Sequence, residues 1–274
     1  MRHDHSVQCL YGCSRGRMNT AMSGEHLTAP RTIYALWLQG EEAAPALVRL
    51  NFRRWASMNP DHELRILNAD DVDRLLVGFP LPPAQMTVQA LSDVVRARLL
   101  LEGGVWSDAS VFPTEPLDAW LPDRLQDAGF FAFERPGVDR PLSSWFLAAS
   151  RDHVMMRKWW AEIVRFWSRP RSVRRYIPEN PVWEVSPNGG AAKDEYPYYW
   201  FHYLFGYLLE TDADFAAHWD RCRKLSAGPP QLLHGLCADN RPEHNAVLET
   251  ARAAPVHKLN WRRTYPLDIL ETLQ

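Results

Sequence analysis

The sequence predicts an α/β protein: a mostly parallel, Rossmann-like sheet flanked by helices, with a helical insertion between residues 151 and 225. Three observations carry that expectation. Two β-branched and aromatic runs, TIYALWLQG (Thr32–Gly40) and HELRILNADDV (His62–Val72), bracket a stretch of helical period, and strand–helix–strand order implies parallel pairing through a right-handed crossover. The stretch ALSDVVRARLLLEGGVWSDASVF (Ala90–Phe112) repeats the alternation, an apolar helix leading through a glycine pair into a strand. Hydrophobic residues at 46 % against 23 % charged, over 274 positions, suit a globular chain with a sizeable core.

The elements follow in order. Thr32–Gly40 reads as the first strand because its β-branched and aromatic run stops at a glycine. In EEAAPALVRLNFRRWASMNP the apolar positions Leu47, Leu50, Phe52 and Trp55 suit a helix, and Asn59-Pro60 stops it. His62–Val72 is the second strand, ending in polar residues and an Asp pair, and GFPLPP is a loop. Ala90–Glu102 is a helix with Gly103 as its cap, and Val105–Phe112 is the third strand. Further strands are Gly129–Glu134 and Trp145–Ser150, and Asp152–Trp167 is an amphipathic helix. A proline- and glycine-rich connection, Pro170–Lys193 with a PNGG turn, leads to the aromatic helix Tyr196–Glu210. Phe215–Arg223 is a short helix, and PVHKLNW (Pro255–Trp261) is short and extended. Residues 1–28, polar and glycine-dotted, read as a disordered leader. Residues 29–274 read as one domain, with a first half over about 29–150 and a second over about 151–274.

Composition narrows the partners. The net charge of −2 and the lack of a basic block remove the electrostatic case for nucleic acid. RPRSVRR (Arg169–Arg175) is the nearest thing to such a block, and it reads as solvated surface or as a contact for an anionic headgroup or diphosphate. Twelve Trp fit either a large aromatic core or surfaces that stack on sugars and bases. Cys9 and Cys13 lie in the leader, and Cys222 and Cys237 are not at zinc-ligand spacing, which fits a reduced, cytoplasmic protein. The sequence holds no 18-residue apolar run and no signal-type h-region, so neither a membrane anchor nor export is expected.

Chemistry concentrates around Ala90–Phe112. Asp93 and Arg96, three apart, share one helix face. They form a plain surface ion pair, or, in a helix as apolar as this one, a partly desolvated pair engaged with a ligand. On one strand Asp108 and Ser110 point the same way, with Trp106 and Phe112 on that face. Two oxygens so spaced can share a hard cation or a sugar hydroxyl, and Mg²⁺ or Mn²⁺ on a diphosphate needs only one or two protein carboxylates. In open α/β sheets ligands sit beyond the carboxyl ends of the strands, which brings Trp37–Gly40 and Asn68–Asp71 to one edge. His202, amid apolar residues, reads as a core histidine. Asp194 and Glu195 read as helix-start acids or as groups activating an acceptor.

The block SDVVRARLLLEGGVWSDASV resembles the SD-x-x-R … GG-x-W-x-D-A-[DTS] pattern of sugar-nucleotide glycosyltransferases, nearest to the bacterial capsular polysaccharide synthesis proteins, relatives of the family 32 DXD enzymes. IYALWLQGEEAAPALVRLNFRRWASMNP, SSWFLAAS, FHYLFGYLL and PVHKLNW follow in the order that family shows, so the likeness runs from about Thr32 to Trp261. The resemblance implies a GT-A fold. It also implies transfer, with retention, of a sugar from a nucleoside diphosphate sugar to a glycan or glycolipid acceptor of a surface polysaccharide, assisted by Mn²⁺ or Mg²⁺. The setting is the cytoplasm, with loose contact at the inner membrane face.

On the matching positions, Asp93 would bind ribose or donor-sugar hydroxyls and Arg96 would lie near the sugar or diphosphate. Asp108 would be the first DXD position, contacting ribose and metal, with Ser110 at the principal ligand position. Trp37 and Gln39 would border the base, His257 would complete the metal or diphosphate site, and Lys258 would partner a phosphate. The hydroxyl of Ser110 in place of a second carboxylate leaves open a sugar-nucleotide- or glycan-binding relative without catalysis. A metal-dependent hydrolase would need a richer His/Asp cluster than this chain offers.

Overall fold

The computed structural model describes residues 30–168, 196 and 198–273. The leader with Cys9 and Cys13, the RPRSVRR run, the PNGG turn, and Asp194 and Glu195 lie outside the described residues.

A six-stranded mixed sheet forms the centre. Its strands are β1 (Thr32–Leu36), β2 (Glu63–Leu67), β3 (Gly104–Ser107), β5 (Phe130–Gly137), β6 (Arg140–Ala149) and β7 (Leu225–Ser226), in the order β2-β1-β3-β6-β5-β7. The β1–β2, β1–β3 and β5–β7 pairings are parallel, whereas β3–β6 and β5–β6 are antiparallel, so the sheet is mostly parallel as expected. A separate ribbon pairs β4 (Val111–Pro113) with β8 (Val256–Lys258) in antiparallel register.

Helices cover both faces because strand alternation supplies an apolar surface to each. Tyr34, Trp106 and Leu147 join one core with α3 (Val88–Leu100), α5 (Val154–Trp167), α6 (Trp200–Thr211) and α7 (Ala213–Arg221). Their neighbours Ile33, Val105 and Phe146 join a second core with Trp120 and Leu121 of α4 (Leu117–Leu125) and Trp55 of α1 (Ala46–Met58). α3 is buried on most of its circumference, Asp93 and Arg96 included, and Thr87 caps its start by accepting from the Ala90 N–H. Short helices α8 (Leu232–Cys237), α9 (His244–Ala251) and α10 (Leu267–Glu271) pack against the β4–β8 ribbon and α1 in a third cluster around Phe112, Leu47 and Leu50.

Three expectations need correction. The run Val105–Phe112 is not one strand: it breaks at Asp108, whose carbonyl accepts the Val111 N–H at 2.8 Å. The chain there leaves the main sheet for the ribbon. Asp108 and Ser110 are therefore brought together by a tight turn, not by strand alternation, and Phe112 packs away from Trp106 in another core cluster. The polar end of the second strand is a helix start: Asn68 and Asp71 cap α2 (Ala69–Leu75) reciprocally, each side chain accepting from the other's backbone N–H at 3.0 Å. α4 and the three C-terminal helices were not anticipated.

The glycine pair is required by its surroundings. Gly103 has φ +77°, and a Cβ there would lie 2.7 Å from the Arg151 backbone nitrogen. Gly104 has φ +142°, and its Cβ would lie 2.4 Å from the Tyr34 ring. This tight reversal returns β3 beside β1 and carries Asp108 back toward α3.

Candidate functional site

A cleft of about 970 Å³ opens beyond the carboxyl ends of β1 and β3. The β1 end contributes Trp37 and Gln39, α3 contributes Ser92, Asp93 and Arg96, and the turn after β3 contributes Asp108 and Ser110. β6 adds Ser143 and Ser144, the start of α6 adds Tyr198, Tyr199 and His202, and the segment from β8 onward adds Lys258 to Arg262.

The floor is a network of alternating charge. Arg96, almost fully buried, lies 3.2 Å from Asp93 Oδ1 and 3.3 Å from Asp108 Oδ1. Its guanidinium also donates to the Ser144 carbonyl at 2.7 Å, to Ser92 Oγ at 2.7 Å and to the Ser92 carbonyl at 3.1 Å. Of the two readings of this pair, the structure shows the desolvated one, held by neutral acceptors as well as by carboxylates. Trp106 Nε1 donates to Asp108 Oδ1 at 2.9 Å, and Lys258 Nζ donates to Asp108 Oδ2 at 3.0 Å and to Ser110 Oγ at 2.5 Å. The Asp108–Ser110 turn is fixed from outside: Asn51 of α1 donates to the Ala109 carbonyl at 2.8 Å and Leu259 N–H donates to the Ser110 carbonyl at 2.9 Å.

Environment splits the two carboxylates. Burial pushes Asp93 up to about 7, opposed by Arg96 and reinforced by the charge of Asp108. Burial would also raise Asp108, but Lys258 and Arg96, with hydrogen bonds from Trp106 and Lys258, hold it below the ordinary carboxylate range. His202 is pressed down to about 3 by burial and by Arg140 and Arg96, so it is neutral. It borders the cleft rather than serving only the core, and its Nδ1 has no hydrogen-bond partner among the described residues.

The site thus unites Asp93, Arg96, Asp108, Ser110 and Lys258, with Trp37 and Gln39 on its rim. His257 is the exception. Neighbouring residues of a strand face opposite sides, so while Lys258 enters the cleft His257 is fully buried behind it, Nε2 3.0 Å from the Ala251 carbonyl. Burial lowers its pKa despite backbone hydrogen bonds, so it is a neutral core histidine. A metal or diphosphate role for His257 is not what this geometry offers.

Three groups went unnoticed in the sequence. Arg140 stacks on Tyr199, 3.9 Å from the ring centre. Trp261 meets Trp37 edge to face, ring centres 5.3 Å apart, and Arg262 lies over the Trp261 ring. Ser144 lends only its carbonyl. PVHKLNW carried Trp261 in plain view, but nothing local said that its ring would meet Trp37.

On a diphosphate, Mn²⁺ or Mg²⁺ would need one or two free protein oxygens, and Asp108 and Ser110 are the candidates. Asp108 Oδ1 is already taken by Trp106 and Arg96, Oδ2 and Ser110 Oγ are bridged by a lysine ammonium, and Asp93 faces Arg96. No cluster of three or more His, Cys, Asp or Glu able to hold a metal occurs among the described residues. As arranged, this donor set does not fit a divalent cation.

Residues 17–179, more than half of the chain, match the family described as capsular polysaccharide synthesis protein. The chain belongs to this family. As a capsular polysaccharide synthesis protein it is also 24 % identical over 155 residues to HOC1 of Saccharomyces cerevisiae, described as a glycosyltransferase; the match takes in 48 % of this chain and 39 % of that relative. Two solved structures are similar to this family member at low identity. One is a glycosyltransferase involved in glycosylation of the major capsid of PBCV-1 (12 % identity, TM-score 0.43, 88 % of this chain and 98 % of that one). The other is the PaToxG glycosyltransferase (14 % identity, TM-score 0.40, 70 % and 74 %). No helix among the described residues is long and apolar enough to cross a membrane.

Proposed function

We propose that this protein is a GT-A-type glycosyltransferase that moves a sugar from a nucleoside diphosphate sugar to a glycan or glycolipid acceptor during surface polysaccharide synthesis. The observation that carries this reading is the convergence of two cations, Arg96 and Lys258, on the floor of a cleft large enough for a sugar nucleotide. Bond cleavage between the sugar C1 and the β-phosphate oxygen leaves the electron pair on that oxygen, and fixed cations stabilise the charge that develops there. The acceptor oxygen forms the new bond to C1, and its proton passes to the departing phosphate. Asp93 and Asp108, the carboxylates that border the cleft among the described residues, are tied to cations. That favours front-face attack with retention over a free carboxylate base on the opposite side.

In this reading Trp37, Gln39 and Trp261 border the base, Asp93 meets donor hydroxyls, and Tyr198, Tyr199 and Arg140 stand toward the acceptor. The donor half spans about residues 29–150 and the acceptor-side half about 151–274. We assign the reaction to the cytoplasm, at the inner face of the membrane. Two buried free thiols, Cys222 pushed up to about 12 and Cys237 to about 11 by burial, suit a reducing compartment.

The test is a panel of sugar nucleotides, read by thermal shift for binding and by release of nucleoside diphosphate for turnover. A hit that Asp108→Asn lowers in turnover by about 100-fold or more, with the melting transition retained, supports the assignment. Unchanged turnover in that variant sinks it. Binding without turnover of any donor would instead make the chain a sugar-nucleotide-binding relative.

A further inference from the structure

We propose that Lys258 takes the part of the divalent cation, so that donor binding and sugar transfer in this cleft need no metal. The inference rests on the reading of the cleft as a sugar-nucleotide site. Its observation is separate: the Lys258 ammonium sits on the two oxygens, Asp108 Oδ2 at 3.0 Å and Ser110 Oγ at 2.5 Å, that a metal would use.

That position is built, not incidental. Lys258 ends β8, which pairs with β4 so that Lys258 stands opposite Val111, and the Leu259 N–H on the Ser110 carbonyl fixes the next residue. The register that points Lys258 inward turns His257 outward into the core. The other oxygen of Asp108 accepts from Trp106 and faces Arg96. A hard dication prefers about six oxygen ligands, and here it would have to expel a cation to gain one carboxylate oxygen and one neutral hydroxyl.

The substitution is chemically sufficient. An ammonium carries three N–H donors; Asp108 and Ser110 take two, and the third is left for a phosphate oxygen. With Asp93 ionised, Asp93 and Asp108 on one side and Arg96 and Lys258 on the other balance to zero formal charge before the donor arrives; with Asp93 protonated the four carry one net positive charge. Asp108 and Ser110 act here as positioning residues that aim the ammonium. During transfer the C1–oxygen bond breaks toward the β-phosphate, whose negative charge grows until the acceptor hydroxyl, bonding C1, gives up its proton to it. Lys258 keeps its protons throughout, stabilising the leaving group by charge and hydrogen bonding as a metal would. The serine that replaces a second carboxylate then has a reason: a lysine between two carboxylates would be over-neutralised and held away from phosphate.

The test uses the full chain after chelator treatment. Adenosine, guanosine, cytidine and uridine diphosphates are titrated calorimetrically without metal and again with excess Mn²⁺, and the electron paramagnetic resonance of Mn²⁺ alone is followed as protein is added. The expected result is a diphosphate that binds with dissociation constants within about threefold in the two conditions, and a free-Mn²⁺ signal that protein leaves unchanged. Lys258→Met should weaken that binding about tenfold or more in both conditions, and Lys258→Arg should restore part of it. Melting curves report whether each variant is folded, and the wild-type comparison needs neither. Affinity that rises tenfold or more with Mn²⁺, or a folded Lys258→Met that binds like wild type, overturns the inference while leaving the sugar-nucleotide reading standing. No binding in either condition overturns that reading, and the inference with it.

Discussion

Arg96→Met is the most informative perturbation of the cleft. The methionine keeps much of the stem's volume and removes a buried guanidinium that lies 3.2 Å from Asp93 and 3.3 Å from Asp108. Deleting one partner of a buried pair costs about 3–5 kcal/mol, because the remaining charge is left uncompensated. Asp108 keeps Lys258 at 3.0 Å, so Asp93 alone is stranded and the lower end, about 3 kcal/mol, is expected.

Protonation modulates that cost. The folded-state pKa of Asp93, about 7, already lies above its unfolded value. The fold therefore prefers the neutral acid, and Asp93 removes stability as pH rises from about 4 through about 7. Without Arg96 the preference strengthens. The loss in Arg96→Met should be largest at pH 8, where wild-type Asp93 is ionised and paired, and should shrink by pH 5.5, where it is protonated in both proteins. Urea unfolding at the two pH values measures it, and Asp93→Asn in the Arg96→Met background should restore part of the lost stability. A loss below about 1 kcal/mol at pH 8, equal at both pH values, would mean that the pair behaves like a solvated one and would refute the reasoning.

Gly104→Ala should lower stability by about 3 kcal/mol, since the new Cβ meets the buried Tyr34 ring at 2.4 Å with φ at +142°. A fall in Tm of about 6–12 °C is the expected readout. For His202, held neutral with a pKa near 3, the sign is opposite to that of Asp93: the unfolded chain takes its proton first, so stability is lost as pH falls from about 6.5 toward 3. His202→Phe should therefore gain on wild type by up to about 3 kcal/mol between pH 6.5 and pH 4 in urea midpoints, and parallel profiles would contradict the assignment.

Local patterns reached the first half of the fold well, because strands such as Thr32–Leu36 and the helix Val88–Leu100 announce themselves by residue type and period. They failed where pairing is non-local. The break at Asp108 depends on β4 finding β8 about 145 residues later, and an apolar run such as Val105–Phe112 gives no sign that it changes sheet. The site was half legible for the same reason. Asp93, Arg96, Asp108 and Ser110 are close in sequence and stood out together. The choice between His257 and Lys258 depended on which neighbour the ribbon turns inward, a question of register. Trp261 and Tyr199 acquire meaning only from Trp37 and Arg140, which are distant in the chain.

The ribbon that joins Val111 to Lys258 also sets a clock. Asp108 and its lysine are 150 residues apart, which is roughly 8–30 s of synthesis at 5–20 residues per second. Throughout that interval the emerging chain holds Arg96 and Asp108 with one cation of the cleft still unmade. A growing polypeptide can thus begin to fold its sheet near donor nucleotides without being able to hold one as the finished protein would. Competence arrives with the last strand, in a single step.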